Sequence, residues 1–199
     1  QYESALGFRD WLHASRRGDK TRPIVLMLAG DRGSGKTWFL AGVGLIAIGL
    51  EWPNEYQFVV NLTTPQRREC VESMREVARP EWIPLHSDDL RDPYSLLITG
   101  SHIGWLSSRN PKRLRQAKLN IRHVLINEGQ DQPEVVYTNA VGATRNRDGL
   151  TTIATNRPQS EAGDWVAAVA DAIDAEELPG VWYLLDAKKN DAVDPTSLD

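Results

Sequence analysis

Continuous apolar runs recur along the chain, and segments with helical spacing separate them. A run without polar alternation is typical of a strand that is buried on both faces of a parallel sheet. The first of these runs, PIVLMLAG, ends in Gly30. A second apolar pair, at 94–100 and 102–108, predicts two strands that turn at Gly100 and Ser101. Apart from this pair, strands are predicted at residues 23–30 (the first run), 56–62, 122–128, 150–156 and 181–186.

Helical periodicity fills the intervals between the predicted strands. Strands that alternate with helices indicate an α/β domain with a mainly parallel sheet flanked by helices. We expect this domain to span residues 1–185, and the polar tail at 186–199 is typical of a linker. The helices are predicted at residues 8–17, 36–50, 64–78, 111–117, 133–147 and 164–177.

Composition fits one globular domain and excludes several other classes. The chain has 199 residues, 41% of them hydrophobic, which is enough for a substantial core. A net charge of −4 excludes a general nucleic-acid coat, so any such contact needs local basic patches. Cys70 is the only cysteine, which rules out an internal disulfide and fits a cytoplasmic compartment. The most hydrophobic run, 38–50, is too short to span a bilayer, so we expect no membrane contact.

The segment GDRGSGKT matches the pattern G-x-x-x-x-G-K-[ST] in full. It follows a predicted buried strand and precedes a predicted helix, which is the context that a phosphate-binding loop requires. The glycines let backbone N–H groups turn toward phosphate oxygens, and the helix adds its positive end. Lys36 would reach the β- and γ-phosphates of ATP, and the Thr37 hydroxyl would ligate Mg²⁺. We therefore predict a nucleotide site formed by Gly30, Asp31, Arg32, Gly33, Ser34, Gly35, Lys36 and Thr37.

Arg32 lies inside this loop, where a small or neutral residue is usual. A guanidinium beside the phosphates could sense the γ-phosphate or stabilise the charge of its transition state. A solvated arginine at a loop tip is the alternative interpretation.

A second group of candidates ends the predicted strand that contains HVLINE. Ligands of parallel α/β sheets gather at the carboxyl ends of strands, so Glu128 could orient and activate an attacking water. The next strand would bring Thr155 and Asn156 to the same edge, where they could sense the γ-phosphate. An ordinary acidic strand end and a simple turn are the alternatives.

The order of four segments, GDRGSGKT, GSHIGWLSSRNPKRLRQA, HVLINEGQDQP and TTIATNRP, resembles the ATPase domain of the large terminase subunit of tailed bacteriophages. The resemblance covers about residues 20–160. It implies a P-loop NTPase fold of the RecA/ASCE-like type. It also implies that Arg32 and Glu128 are catalytic and that Thr155-Asn156 is a coupling motif.

For function, the resemblance implies a DNA-packaging motor. Such subunits hydrolyse ATP to drive double-stranded DNA into an empty capsid. They work as a homo-oligomeric ring on the portal protein, together with the small terminase subunit. The chain would then act in the cytoplasm of an infected bacterial host, at the procapsid portal. These subunits normally carry a nuclease domain after the ATPase, and we expect 186–199 to begin the linker to a nuclease domain that this chain lacks.

Asn127 departs from the family pattern, which has Asp at this position to support Mg²⁺. Asn keeps the shape of Asp without its charge, so we expect nucleotide binding to survive and turnover to weaken. Thr37 and Asn127 are therefore the predicted metal-supporting residues.

Basic residues cluster just before the strand that leads to Glu128, in RNPKRLRQAKLNIR at 109–122. A DNA-facing surface is one interpretation. Another is an arginine supplied to the ATP site of a neighbouring subunit, for which Arg113 and Arg115 are the candidates. A solvated helix face is the third interpretation.

The aromatic residues near the amino end predict packing rather than ligand contact. Tyr2, Phe8 and Trp11 could include a residue that stacks on adenine, but such aromatics usually pack a helix on the core. We also expect the seven tryptophans to lie in the core.

Two other function classes stay open. A helicase-like nucleic-acid translocase can have a similar acidic motif, and a second RecA-like domain would favour it. A nucleotide-binding module with little hydrolysis would follow from Asn127. Measuring ATP hydrolysis in the presence of Mg²⁺ separates such a module from an enzyme.

Overall fold

The computed structural model describes residues 8–14, 17, 23–31, 33–88, 93–109, 114, 121–145, 147–156 and 164–185. Several predictions lie outside these described residues. They are the tail at 186–199, nearly all of the helix at 111–117, Tyr2, and the three arginines Arg32, Arg113 and Arg115.

A mixed sheet forms the centre of the described structure. Its order is β3-β4-β5-β2-β6-β7-β1-β8, and among the described strands only the β3–β4 and β4–β5 pairs are antiparallel. The predicted mainly parallel sheet is therefore confirmed. Strand β7 lies between β1 and β6, so the ends of these three strands meet at one edge. The strands are β1 (Val25–Gly30), β2 (Tyr56–Asn61), β3 (Leu85–Ser87), β4 (Tyr94–Leu96), β5 (His102–Ser107), β6 (Ile121–Ile126), β7 (Leu150–Thr155) and β8 (Gly180–Leu185).

Helices cover both faces of this sheet. Residues of α1, α2 and α3 pack in one hydrophobic cluster, and residues of α4 and α5 pack in the other. Helix α2 begins directly after the phosphate loop and contains a π-helical segment, Trp38–Gly44, followed by α-helical Leu45–Glu51. The helices are α1 (8–14), α2 (36–51), α3 (Thr64–Val77), α4 (Glu134–Arg145) and α5 (Trp165–Asp174).

Strand β1 explains why its apolar run shows no polar alternation. Leu26 and Leu28 belong to the cluster with α1, α2 and α3, whereas Val25 and Met27 belong to the cluster on the opposite face. Side chains of a strand alternate between faces, and here both faces are covered. Phe8 and Trp11 are buried in the first cluster, as predicted for core aromatics.

A capping box starts α3 immediately after β2. The Thr63 hydroxyl accepts a hydrogen bond from the Gln66 backbone N–H at 3.4 Å, and the Gln66 side-chain oxygen accepts from the Thr63 N–H at 3.0 Å. Two helix-end N–H groups are satisfied in this way. The cap fixes the point at which the chain leaves the end of β2.

Some predicted boundaries and burials were wrong. Strand β6 ends at Ile126, because Glu128 has φ 51° and ψ 61°, a left-handed conformation that cannot continue a strand. The short strand β3 was not predicted, since three partly exposed residues carry no detectable alternation. Trp38 is 44% exposed although it opens the most apolar run, so not every tryptophan lies in the core.

Among the described residues, every helix is too short or too polar to cross a membrane.

Candidate functional site

The phosphate loop joins β1 to α2 at the carboxyl edge of the sheet, the edge at which the parallel strands end. Gly33 and Gly35 have φ values of 82° and 81°, in the left-handed region where glycine carries no steric cost. The Ser34 N–H donates to the Asp31 carbonyl at 3.2 Å, which closes the turn of the loop. Residues 36 and 37 already belong to α2, so the loop lies at the positive end of a helix.

Lys36 folds back over the loop that it terminates. Its Nζ donates to the Asp31 carbonyl oxygen at 3.3 Å, and the residue is 5% exposed. No carboxylate among the described residues pairs with this ammonium group. A lysine held this way directs its positive charge toward the centre of the loop, where phosphate oxygens would bind.

A chain of hydrogen bonds runs from the phosphate loop to the ends of β6 and β2. The Thr37 hydroxyl donates to Asn127 Oδ1 at 3.2 Å, and Asn127 Nδ2 donates to Asn61 Oδ1 at 3.1 Å. The Cys70 thiol donates to the same Asn61 oxygen at 3.5 Å. We call these four residues the edge network. In this arrangement the Asn127 amide oxygen lies toward the loop and its amide nitrogen lies toward Asn61.

Cys70 enters this network as a neutral thiol. Burial raises the pKa of the Cys70 thiol well above its ordinary value, and the nearby Glu69 and Glu128 carboxylates raise it further. The thiol therefore keeps its proton and acts as a weak donor. Cys70 is a buried free cysteine on α3.

Glu128 lies two residues beyond β6 and is held by Gln130. The Gln130 Nε2 donates to Glu128 Oε2 at 2.7 Å. The Gln130 Oε1 accepts from the Thr155 hydroxyl at 3.0 Å and from the Asn156 backbone N–H at 3.0 Å. One amide thus connects the predicted catalytic carboxylate with both residues of the predicted coupling motif.

Gln132 braces the backbone that carries Asn127. Its Nε2 donates to the Asn127 backbone carbonyl at 2.9 Å. The backbone carbonyl of Gln132 accepts from Trp165 Nε1 at 2.8 Å. Since Trp165 is the first residue of α5, the turn after β6 is tied to a helix on the opposite face. Such support holds the Asn127 side chain in one orientation.

The structure brings most of the predicted site residues to one edge. The loop residues Gly30, Asp31, Gly33, Ser34, Gly35, Lys36 and Thr37 form the turn, Asn127 contacts Thr37, and Thr155 and Asn156 reach Glu128 through Gln130. The predicted roles of Arg32, Arg113 and Arg115 remain predictions, because these residues lie outside the described part of the chain. Sequence reasoning missed Asn61, Gln130 and Gln132.

The donor set fits Mg²⁺ bound together with nucleotide phosphates. Thr37 gives its hydroxyl hydrogen to Asn127, which leaves the oxygen lone pairs free for a cation. The described residues contain no group of three His, Cys, Asp or Glu side chains able to hold a metal. Mg²⁺ commonly takes few protein ligands and completes its shell with phosphate oxygens and water. Thr37, with Asn127 behind it, suits that kind of site.

Comparison with known proteins shows the fold. No family model matches the chain, and no curated protein sequence matches it. Among solved structures, the large terminase ATPase domain of Thermus phage P74-26 matches with a TM-score of 0.52 and 18% identity, over 74% of this chain and 66% of that one. The chain therefore shares its fold with a phage terminase ATPase domain.

Two further structures extend this likeness. The large terminase of a thermophilic bacteriophage, in complex with ATP-gamma-S, matches with a TM-score of 0.69 and 10% identity, over 96% of this chain and 47% of that one. The helicase domain of Pyrococcus furiosus Hef matches with a TM-score of 0.51 and 12% identity, over 87% and 37% of the two chains. The chain spans about half the length of the terminase that was solved with ATP-gamma-S. The fold is therefore that of the P-loop ATPases found in terminases and helicases.

Proposed function

We propose that this domain binds and hydrolyses ATP with Mg²⁺ and uses the energy to move double-stranded DNA into a viral procapsid. The observation that carries the proposal is the Thr37–Asn127 hydrogen bond of 3.2 Å. It joins the phosphate loop to the turn that presents Glu128, so the two predicted halves of an ATPase site meet. The fold shared with terminase ATPase domains supports the packaging role.

Each residue of the proposed ATP site would then have a distinct task. The loop N–H groups and Lys36 would hold the β- and γ-phosphates, and Thr37 would present its oxygen to Mg²⁺. When bound, Mg²⁺ would neutralise charge that develops on the phosphate oxygens. Glu128 would orient a water and accept its proton.

Gln130 would transmit the state of the γ-phosphate to the end of β7. Its amide bonds Glu128 at one end and Thr155 and Asn156 at the other. A shift of the Glu128 carboxylate during hydrolysis would therefore pull on the coupling residues. In a motor, this link would connect the chemical step with movement of the segment that follows β7.

The assembly that we propose is a ring of identical subunits on a portal protein, served by a small terminase subunit. Arg113 or Arg115 of one subunit would complete the ATP site of its neighbour. The second candidate function is a helicase-like translocase, which the shared fold with the Hef helicase domain favours. Stimulation of turnover by duplex DNA fits packaging, whereas stimulation by single-stranded DNA alone fits the helicase-like alternative.

The test compares two variants in binding and in turnover. Lys36→Ala should lower ATP affinity at least about tenfold, because a charge-assisted contact of about 1.5–3 kcal/mol is lost. Glu128→Ala should keep ATP affinity near the parent value but lower Mg²⁺-dependent turnover by about 10²-fold or more, the scale of a lost general base. Calorimetry gives the affinities, and phosphate release gives the turnover. Unchanged affinity in the first variant, or unchanged turnover in the second, contradicts the proposal.

A further inference from the structure

Trp38 presents a tryptophan ring to solvent directly beside the phosphate loop. It follows Thr37 and is the first residue of the π-helical segment of α2, a kind of helix that is frequently found at functional sites. Its side chain is 44% exposed. Among the described residues, it is the one aromatic side chain that is open to solvent to this extent. A large apolar ring is therefore available where the rest of a nucleotide would extend from its phosphates.

Two aromatic residues that the sequence offered for adenine stacking are closed to a ligand. Phe8 and Trp11 are buried, and both rings belong to the first hydrophobic cluster. The Phe8 ring meets the Phe39 ring edge-on, with centroids 6.0 Å apart, so α1 packs against the buried side of α2. A base can stack only on a ring whose face is open. Of the aromatic residues described near the loop, Trp38 meets that condition.

The backbone at the start of α2 places Trp38 next to the phosphates. The Phe39 N–H donates to the Gly35 carbonyl at 2.9 Å, which is the first hydrogen bond of the helical ladder. The N–H groups before it, on Lys36, Thr37 and Trp38, are those that the start of a helix leaves for an outside acceptor. Since Lys36 and Thr37 serve the β- and γ-phosphates and Mg²⁺, the Trp38 N–H is the next donor along the helix for an α-phosphate oxygen.

The side chain of Trp38 faces solvent rather than the γ-phosphate end of the site. Thr37 directs its hydroxyl to Asn127, and the next residue of a helix lies roughly a quarter turn further round. Phe39 then turns into the core, where it is buried. The γ-phosphate lies toward Glu128, to which we assign the attacking water, so the nucleoside at the other end of the triphosphate leaves the loop away from Glu128. Trp38 and the nucleoside therefore share the solvent side of the loop.

We propose that the Trp38 ring is the platform on which the purine base of the bound nucleotide stacks. The inference rests on the proposed function, because it assigns the base-binding residue of the same ATP site. Stacking uses the face of a base, which adenine and guanine share, and does not read the hydrogen-bonding edge that distinguishes them. Trp38 therefore adds affinity for the nucleoside part of the ligand and adds it equally for ATP and GTP.

The first experiment compares the binding of ATP with that of inorganic tripolyphosphate, which has the phosphates without a nucleoside, by calorimetry with Mg²⁺. Trp38→Ala should lower ATP affinity about tenfold, equivalent to about 1.4 kcal/mol and within the range of base–aromatic stacking. Its affinity for tripolyphosphate should equal that of the parent. Trp38→Phe retains an aromatic face and should recover most of the ATP affinity. Ile98→Ala is the matched control, because it removes an exposed apolar side chain from the turn before β5, at the opposite edge of the sheet.

The second experiment follows tryptophan fluorescence while ATP is added. A base that stacks on an indole ring quenches its emission, so ATP should quench the parent, whereas tripolyphosphate should not. Trp38→Phe should lose most of this quenching although it still binds ATP. GTP should quench the parent as ATP does, and Trp38→Ala should lower its affinity by the same factor. These readouts follow the base itself, and a residue that only supported the loop would not move them.

The outcomes separate this proposal from the proposed function. Equal losses of ATP and tripolyphosphate affinity in Trp38→Ala would show that Trp38 maintains the loop, and would overturn the base platform. Unchanged ATP affinity in Trp38→Ala, or a loss for ATP without one for GTP, would also overturn it. If Lys36→Ala weakens both ligands while Trp38→Ala weakens neither, only the base platform fails. Failure of the parent to bind either ligand would overturn the proposed function itself.

Discussion

Two hydrogen-bonded networks link β2 with β6 or the residue just after it, at positions that are four residues apart along each chain segment. The edge network uses Asn61 at the last position of β2 and Asn127 just after β6, whereas the interior network uses Gln57 of β2 and His123 of β6. Residues four apart along a strand face the same side, so both networks lie on the same face of the sheet. Both also reach α2, at Thr37 and at Leu45.

The interior network is complete. Gln57 Nε2 donates to the Leu45 carbonyl at 2.8 Å, which directs Gln57 Oε1 toward His123 Nδ1 at 3.0 Å. The His123 Nε2 accepts from the Thr152 hydroxyl at 2.7 Å, so the imidazole is neutral and carries its proton on Nδ1. Burial lowers the pKa of His123 to about 3, which keeps the ring uncharged.

The edge network is incomplete by the same measure. Asn61 Nδ2, a member of this network, is buried and has no hydrogen-bond partner. Buried polar groups in proteins are nearly always paired, so the unpaired Asn61 Nδ2 costs the folded state free energy. The comparison shows that the interior network pairs its polar groups within the protein, whereas the edge network leaves the Asn61 Nδ2 without a partner.

The largest expected effect is a loss of folding stability at low pH, which arises from His123 of the interior network. The folded state keeps His123 neutral down to about pH 3, whereas the unfolded chain takes up a proton below about pH 6.5. The unfolded state therefore binds more protons in this window, and stability is full above pH 6.5 and falls as the pH drops. Between about pH 7 and pH 4 the loss should be about 3 kcal/mol.

Urea unfolding at several pH values measures this loss, and His123→Gln is the control. Glutamine can donate to Gln57 and accept from Thr152 but does not titrate in this range. The variant should lose this component of the acid sensitivity. Identical pH profiles for parent and variant would show that His123 does not control it.

The next effect concerns the part of the edge that joins Glu128 to β7. Gln130→Ala removes one bond to Glu128, one to Asp131 and two at the end of β7. Turnover should fall by about thirtyfold, equivalent to about 2 kcal/mol for hydrogen bonds of roughly 1 kcal/mol each that act together. ATP affinity should change little. Steady-state kinetics separates the two quantities.

Gln130→Glu sharpens that result. It keeps an acceptor for Thr155 and Asn156 but replaces the donor to Glu128 with a like charge. If support of Glu128 is what matters, this variant should be as slow as Gln130→Ala. Recovery of parent turnover in Gln130→Glu would show instead that Gln130 acts through its bonds to Thr155 and Asn156 at the end of β7.

The smallest effect comes from restoring the carboxylate that Asn127 lacks. Asn127→Asp should raise Mg²⁺-dependent turnover by roughly tenfold if the metal contact is worth about 1.4 kcal/mol in the transition state. Asp cannot donate to Asn61, so the Asn61 amide must rotate, which brings its unpaired Nδ2 onto the new carboxylate. The rotation costs the bond from Cys70, a weak donor.

A Mg²⁺ titration of the ATPase rate at fixed ATP measures this effect. Asn54→Asp is the matched control, because it adds the same charge in the turn before β2, at the opposite end of that strand from Asn61. The control should follow the parent curve. Overlapping curves for Asn127→Asp and the parent would mean that residue 127 does not support the metal.

The sequence predicted the features that depend on neighbouring residues. The phosphate loop is a contiguous pattern between a strand and a helix, and the parallel sheet follows from apolar runs. Asn61 and Gln130 were missed because their roles depend on how β2, β6 and β7 lie side by side, which no local pattern states. A glutamine two residues after Glu128 was the available signal for Gln130. Trp38 was misjudged because an apolar run does not show which residues face solvent at the start of a helix.

The left-handed backbone at Glu128 favours glycine for stability, whereas the proposed chemistry needs a carboxylate at this position. A residue with a Cβ gives up roughly 1–2 kcal/mol in this conformation, which glycine would not. Glu128→Gly should therefore unfold at a higher temperature than Glu128→Ala, although both lack the carboxylate. Selection for heat resistance alone would drive this position toward glycine and remove the carboxylate to which we assign the activation of water. Efforts to stabilise this domain while keeping the proposed activity should therefore hold position 128 fixed and change other positions.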